Sequence, residues 1–137
     1  MEDTAPFHPR SFAVVGAGPV GCIVAAFLAR GGYDVTLCDV LPELVEPALG
    51  RGIIIEGAEN LQQTVSRVCT NIDDLVLHMP DVVILTVKAH AIPLLASAIE
   101  TFYREGLYVV SWQNGIDTEL AVAKVLGKKP DLYRLSF

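Results

Sequence analysis

Three glycines, Gly16, Gly18 and Gly21, stand at G-x-G-x-x-G spacing within the run Gly16-Ala17-Gly18-Pro19-Val20-Gly21. Ahead of them lies a short apolar segment, Ser11-Phe12-Ala13-Val14-Val15; behind them an uncharged stretch ends at Arg30 and Gly31-Gly32. That order predicts strand, tight turn, helix over 19–30 and stop. Glycines so placed bring bare backbone N–H groups to a helix N-terminus, where the helix dipole favours an anion such as a diphosphate. Gly16 would permit the turn, Gly18 would let the diphosphate approach the backbone, and Gly21 would let the helix pack close to its strand. Pro19 suits the first helical position, where its missing N–H has no intrahelical partner to lose.

Asp39 follows the second predicted strand, Asp34-Val35-Thr36-Leu37-Cys38, and lies 23 residues beyond Gly16. At that spacing a carboxylate can accept hydrogen bonds from an adenosine ribose. The plainer alternative is a strand-end aspartate that caps the segment after it. In the ribose reading a 2′-phosphate is penalised. Two unit charges about 5 Å apart at an effective dielectric of about 20 repel by roughly 3 kcal/mol, or about two decades of affinity. The sequence therefore favours NAD over NADP.

The elements that must position these residues alternate strand and helix, the pattern of a Rossmann-type α/β domain whose mostly parallel, doubly wound sheet is covered on both faces. Asp81 to Val87 is the strongest central strand; a helix from His90 to Phe102 with Pro93 in its first turn follows it. Leu107 to Trp112 and Leu132 to Phe137 read as further strands. A helix over Thr118 to Leu126 is expected between them, capped by Asp117 and closed by Gly127. Ile53-Ile54-Ile55 and Arg67-Val68-Cys69-Thr70 are shorter strand candidates, separated by a polar stretch with Asn60, Gln62 and Gln63. Residues 1–10, with Pro6 and Pro9, read as a flexible tail, and residues 11–137 as the domain.

Composition excludes several function classes. The chain has 137 residues, ten basic and sixteen acidic side chains and a net charge of −6, its basic residues scattered, so nothing tracks a nucleic-acid backbone. Ser11 to Ala29 carries no charge, yet a cluster of glycines and a proline splits it into strand and helix rather than a membrane span. Cys22, Cys38 and Cys69 lack C-x-x-C spacing and read as small core residues of a reduced, cytoplasmic compartment. His8, His78 and His90 lack ligand spacing, so no metal site is indicated. Asp73-Asp74 reads as a loop or helix start.

In an open parallel sheet, ligands bind beyond the carboxyl ends of the strands. Those positions hold Gly16 to Gly21, Asp39, Lys88 and Gln113-Asn114-Gly115. Together with GAGPVG, the segments DVVILTVKAH and SWQNGID resemble the ketopantoate reductase (2-dehydropantoate 2-reductase) family over nearly all of residues 10–137. The resemblance implies an N-terminal nicotinamide-dinucleotide-binding domain, joined in the full family to a helical domain that supplies the general acid. Family members carry hydride to the 2-oxo carbon of a branched 2-oxo acid. By motif, Lys88 would lie near cofactor and substrate, and Asn114 near the nicotinamide ribose and substrate. Two departures stand out: Asp39, where a basic or neutral residue is common, and Trp112, where an aliphatic one is usual. The second domain is absent from this chain, and a terminal apolar strand ending at Phe137 would leave a sheet edge uncovered, so the reading is of a fragment that binds cofactor without turning over substrate. Homo-oligomers are compatible with it. The rivals are a stand-alone dinucleotide-binding or redox-sensing module, a flavoprotein opening, which usually has glutamate after the second strand, and, more distantly, a methyltransferase.

Overall fold

The computed structural model describes residues 8–102, 106–112 and 131–135. Six strands, β1 (Ser11–Val15), β2 (Asp34–Cys38), β5 (Arg67–Cys69), β6 (Val82–Leu85), β7 (Tyr108–Trp112) and β8 (Asp131–Leu135), form one sheet in the order β5-β2-β1-β6-β7-β8. Every pairing in that sheet is parallel. Two short strands, β3 (Ile53–Ile55) and β4 (Leu61–Gln63), form a separate antiparallel ribbon. The helices are α1 (Pro19–Arg30), α2 (Pro42–Val45) and α3 (Ile92–Glu100), with 3-10 turns over Glu46–Ala48, Ile72–His78 and Ala89–Ala91.

The strands are apolar on both sides because both faces of the sheet are covered. Val14 faces a core shared with Val24 and Ala25 of α1 and with Leu37 and Val45. Its neighbours Ala13 and Val15 face a second core with Leu75 and with Ile92, Ala96 and Ile99 of α3. The same alternation splits β6, with Val82 and Ile84 on the α1 side and Val83 and Leu85 on the other. A period of two along each strand thus feeds two cores at once.

The amino end of the sheet is knitted by Asp81. Its Oδ2 accepts the Arg10 and Ser11 N–H groups at 2.9 and 3.2 Å, its N–H donates to the Ser11 carbonyl at 2.9 Å, and its carbonyl accepts the Tyr108 N–H at 3.1 Å. Three adjacent strands are pinned there, which leaves the opposite end open for loops with a ligand to meet.

β1 and β2 occupy the ranges their patterns predict, and α1 coincides with the expected helix. The stretch around Gln62 and Gln63, expected to separate two strands, itself contains β4. Its glutamine amides turn outward, to the Arg51 and Thr64 carbonyls at 2.7 and 2.9 Å, while Leu61 packs with Ile53 and Ile55 against the core under α1. The helix expected from His90 begins at Ile92, because Lys88 to Ala91 closes a tighter turn with the Ala91 N–H on the Lys88 carbonyl at 2.9 Å. Asp73 and Asp74 fall in the first turn of the Ile72–His78 helix, where the Asn71 side chain accepts the Asp73 N–H at 2.9 Å. The helix expected over Thr118 to Leu126, the first seven residues of the expected tail, and Ser136 and Phe137 lie outside the described residues.

β5 is a sheet edge, and a charged side chain blunts it. Arg67 reaches across to β2, with Nη2 3.0 Å from Asp34 Oδ1 and Nη1 3.0 Å from the hydroxyl of the buried Thr36. The hydrogen bond from Arg67 is the main cause that holds the Asp34 carboxyl below the usual carboxylate range. A carboxyl depressed in the folded state contributes stability above its ordinary pKa and loses it as pH falls through the folded value. Arg67→Met should therefore lower the unfolding free energy at neutral pH, with the deficit relative to the parent shrinking as pH drops below the carboxylate range. Urea titrations of both proteins across that range check this; a pH-independent deficit would contradict it.

Candidate functional site

β1 sits between β2 and β6, and the chain leaves it toward β2 but later returns to β6 on its other side. The crevice above that reversal is the switch point of a doubly wound sheet, and the order found here is that of a dinucleotide-binding sheet once the ribbon strands are set aside. The loop Gly16 to Gly21 rises from β1 at one wall, and Thr86 to Lys88 follows β6 at the other.

Local sterics dictate the glycines. Gly16 turns with φ +113°, a region L side chains rarely adopt, and a Cβ there would stand 2.6 Å from Thr86 Oγ1. At Gly21 a Cβ would run into the Gly16 carbonyl and lie 2.7 Å from the same hydroxyl. Helix α1 can therefore approach β1 and β6 this closely only without a side chain at either place. Gly18 differs. It is the N-cap of α1 in an extended conformation, φ −76° and ψ −171°, and a Cβ on it would meet no atom within 4 Å.

The start of α1 carries no side-chain cap and no acidic residue in its first turn. The first amides of a helix have no partner inside it. Pro19 removes one donor, so those of Val20 and Gly21 remain at the mouth of the open space over Gly18. Backbone amides and the helix dipole together suit this place for a phosphate.

Asp39 caps the segment after it, as the plainer alternative expects, and adds a tie to the glycine loop that the sequence did not single out. Its Oδ2 accepts the Ala17 N–H at 2.8 Å and its Oδ1 accepts the Leu41 N–H at 3.1 Å. The carboxylate thus ties the glycine loop to the end of β2 and caps the segment leading into α2. A carboxylate has about four acceptor positions, so two amides leave capacity for ribose hydroxyls. Both readings of Asp39 are compatible in one geometry. The tie is reinforced by the Gly16 N–H, which donates to the Cys38 carbonyl at 2.8 Å.

Thr86 is the residue that motif reading passed over. Its hydroxyl lies 3.0 Å from the Val15 carbonyl oxygen and 2.9 Å from that of Gly16, and donates to them, while its N–H donates to Val15 at 2.9 Å. The Val15 carbonyl is already held by that N–H, so the hydroxyl's particular task is the Gly16 carbonyl, reached with a proton shared between the two. The available signal was a short hydroxyl-bearing side chain one residue past the central strand, opposite an invading loop. Lys88 is exposed on the segment between β6 and α3, at the same carboxyl end of the sheet as the loop. Asn114, with Gln113 and Gly115, lies outside the described residues. No cluster of histidine, cysteine and acidic side chains that could hold a metal ion occurs among the described residues, and no helix there is long and apolar enough to cross a membrane.

Fold and site define a Rossmann-like α/β domain of the dinucleotide-binding type. The sequence profile described as ketopantoate reductase PanE/ApbA matches residues 12–137, and the chain belongs to that family. Among solved structures it is similar to a PanE/ApbA family ketopantoate reductase from Ralstonia eutropha JMP134, with 25% identity, a TM-score of 0.73, and coverage of 92% of this chain and 40% of that one. The fold is shared with prephenate dehydrogenase from A. aeolicus in complex with hydroxyphenyl propionate and NAD+, at 20% identity and a TM-score of 0.72, covering 92% of this chain and 41% of that one. It is shared also with D-mandelate dehydrogenase in a ternary structure with NADH and anilino(oxo)acetate, at 22% identity and a TM-score of 0.73, covering 90% and 39%. The chain therefore spans about two fifths of the length of these structures. No curated protein gives a significant match.

Gly18 and Gly21 should separate in stability measurements. Gly21→Ala, which drives a methyl group into backbone, is expected to cost about 1–3 kcal/mol or more, whereas Gly18→Ala, at the N-cap, should cost less than about 1 kcal/mol. Chemical denaturation of the two variants checks this; equal losses would refute the steric account.

Proposed function

We propose that this chain is the nicotinamide-dinucleotide-binding domain of a cytoplasmic 2-oxoacid reductase, and that it prefers NAD to NADP. The observation that carries the reading is the uncapped start of α1 above Gly18, set at the switch point of the sheet. The residues fit such a cofactor: open space over Gly18, amides aimed at it, and no carboxylate in the first helical turn to repel a diphosphate. When bound, a reduced nicotinamide would supply the hydride for reduction of a small branched 2-oxo acid.

The chain's own residues divide the work. The amides of Gly18, Val20 and Gly21 bind the diphosphate, with Gly16, Ala17 and Pro19 setting their directions. Asp39, held by the Ala17 and Leu41 amides, presents its remaining acceptor capacity to the adenosine ribose and its charge against a 2′-phosphate. Lys88 is free to place an ammonium near the negative charge of a substrate carboxylate or of the developing alkoxide. Asn114 offers an amide that both donates and accepts, suited to the nicotinamide ribose and the substrate. In this reading the general acid belongs to the helical part of the longer family members, so the 137-residue chain binds cofactor and leaves the 2-oxo acid unreduced.

Titration calorimetry with the two coenzymes tests the preference. NAD should bind the parent protein tighter than NADP by up to about two decades. Asp39→Ser should narrow that gap from both sides, and tighter NADP binding by the parent would overturn it. Gly18→Ala, which leaves the fold intact, should weaken NAD by roughly tenfold, about 1.4 kcal/mol. Measurable oxidation of NADH by ketopantoate with the 137-residue chain alone would contradict the assignment of the general acid elsewhere.

A further inference from the structure

Cys38 and Cys69 are register partners at the carboxyl ends of the adjacent parallel strands β2 and β5. Both side chains lie on the α3 side of the sheet, Cys38 within that core and Cys69 packed against it. Each thiol is the main influence on the other's titration. Neighbouring strands stand about 4.8 Å apart, inside the roughly 4.4–6.8 Å between Cα atoms that a disulfide spans. Cys69 is half-buried and lines a cavity of about 430 Å³ with Thr70, Asp74, Leu75 and His78, so a small oxidant can reach it. The third thiol, Cys22, packs against the opposite core and donates to the Ala17 carbonyl at 3.3 Å, out of the pair's reach.

The backbone joins this pair to the loop at the switch point. The Cys38 carbonyl accepts the Gly16 N–H at 2.8 Å, and the Cys69 carbonyl accepts the Asp39 N–H at 3.2 Å. A change in the distance between β2 and β5 at this level is felt by the residue that anchors Ala17.

We propose that Cys38 and Cys69 form a peroxide-oxidisable dithiol that closes into an intrachain disulfide beside the dinucleotide crevice. The Cys69 thiol gives its proton to solvent and the thiolate attacks one oxygen of hydrogen peroxide; the O–O bond breaks, hydroxide leaves and takes up a proton from solvent to become water, and Cys69 becomes a sulfenic acid. The Cys38 sulfur then attacks the Cys69 sulfur, the S–O bond breaks, and the departing hydroxide takes up the Cys38 proton as a second water. Peroxide is reduced by two electrons in the first step, and the dithiol has lost two hydrogens by the end. The assignment of roles agrees with the local electrostatics: the neighbouring Cys38 thiol is the main cause that draws the Cys69 thiol below its ordinary range, and Cys69, followed by burial, pushes Cys38 up. Bridging requires Cβ atoms about 3.8 Å apart, closer than paired strands hold them, so β5 must move toward β2 and pull on the Asp39 N–H.

The test uses the 137-residue chain, treated with hydrogen peroxide, alkylated and mapped by peptide mass spectrometry. A linked Cys38–Cys69 peptide pair, lighter by two hydrogens, opened by dithiothreitol and accompanied by alkylated Cys22, is the expected result. Cys22→Ser should leave the link intact, and Cys69→Ser should abolish it with Cys38 still alkylatable. Three alkylatable thiols after treatment, a link through Cys22, or irreversible oxidation of Cys69 with Cys38 free would each overturn the proposal. The effect on the crevice rests on the proposed cofactor and is read separately, by titrating reduced and bridged protein with NADH. Weaker binding after bridging supports the coupling, equal binding removes it, and failure of the reduced protein to bind NADH refutes the cofactor reading while leaving the peptide map to decide the bridge.

Discussion

The closeness of α1 to the sheet is the constraint on which the crevice depends. Gly21 lies against the Gly16 carbonyl, and both sit under the Thr86 hydroxyl, so the helix enters the sheet at a separation that a single methyl group would forbid. That approach has a polar consequence. Past the bend the Gly16 carbonyl needs a donor, and a buried carbonyl without one costs about 1–3 kcal/mol. Thr86 supplies it with a hydroxyl shared with the Val15 carbonyl, which its N–H already holds, and so the residue after β6 becomes part of the β1 loop.

The other wall is held by charge rather than by fit. Asp39 closes the loop at Ala17 and the next segment at Leu41, while the backbone between Cys38 and Gly16 adds a second tie. β2 and β6 thus grip the glycine loop from opposite sides, and Asp81 fixes the far end of β1, β6 and β7. A loop restrained this way keeps its amides in place before any ligand arrives, so less conformational entropy is lost on binding.

Much of this was legible in residue types, for identifiable reasons. β1, α1 and β2 follow from an apolar run, a glycine cluster and a second run, because strands buried on both faces must be apolar without interruption. The jobs of Gly16 and Gly21 follow from the same motif. What stayed hidden depended on partners distant in sequence. β4 looks polar because two of its three residues are glutamines, and only Leu61 brings apolar surface to the core under α1. Thr86 looks like an ordinary strand-end residue until the bend seventy positions earlier is set beside it. The start of α3 was misplaced by two residues because a 3-10 turn and an α-helix share the same first hydrogen-bonding opportunities. The pairing of Cys38 with Cys69 is a matter of strand register, which no spacing within the chain encodes.

A site made this way separates affinity from discrimination. Backbone amides at a helix start attract any diphosphate, since they recognise charge and a direction rather than a base or a sugar. In the proposed reading selectivity then falls to the few side chains at strand ends, and at β2 that means Asp39, whose carboxylate is already fixed by two amides. A fixed charge cannot swing aside to admit an anion, as a solvated aspartate would, so its repulsion of a 2′-phosphate is relieved only by breaking the hydrogen bonds to Ala17 and Leu41. Each such charge-assisted bond contributes about 1.5–3 kcal/mol, comparable to the repulsion itself. In the proposed reading the structural tie and the cofactor preference are for that reason one interaction: the bond that shapes the loop would also hold the discriminating charge in place.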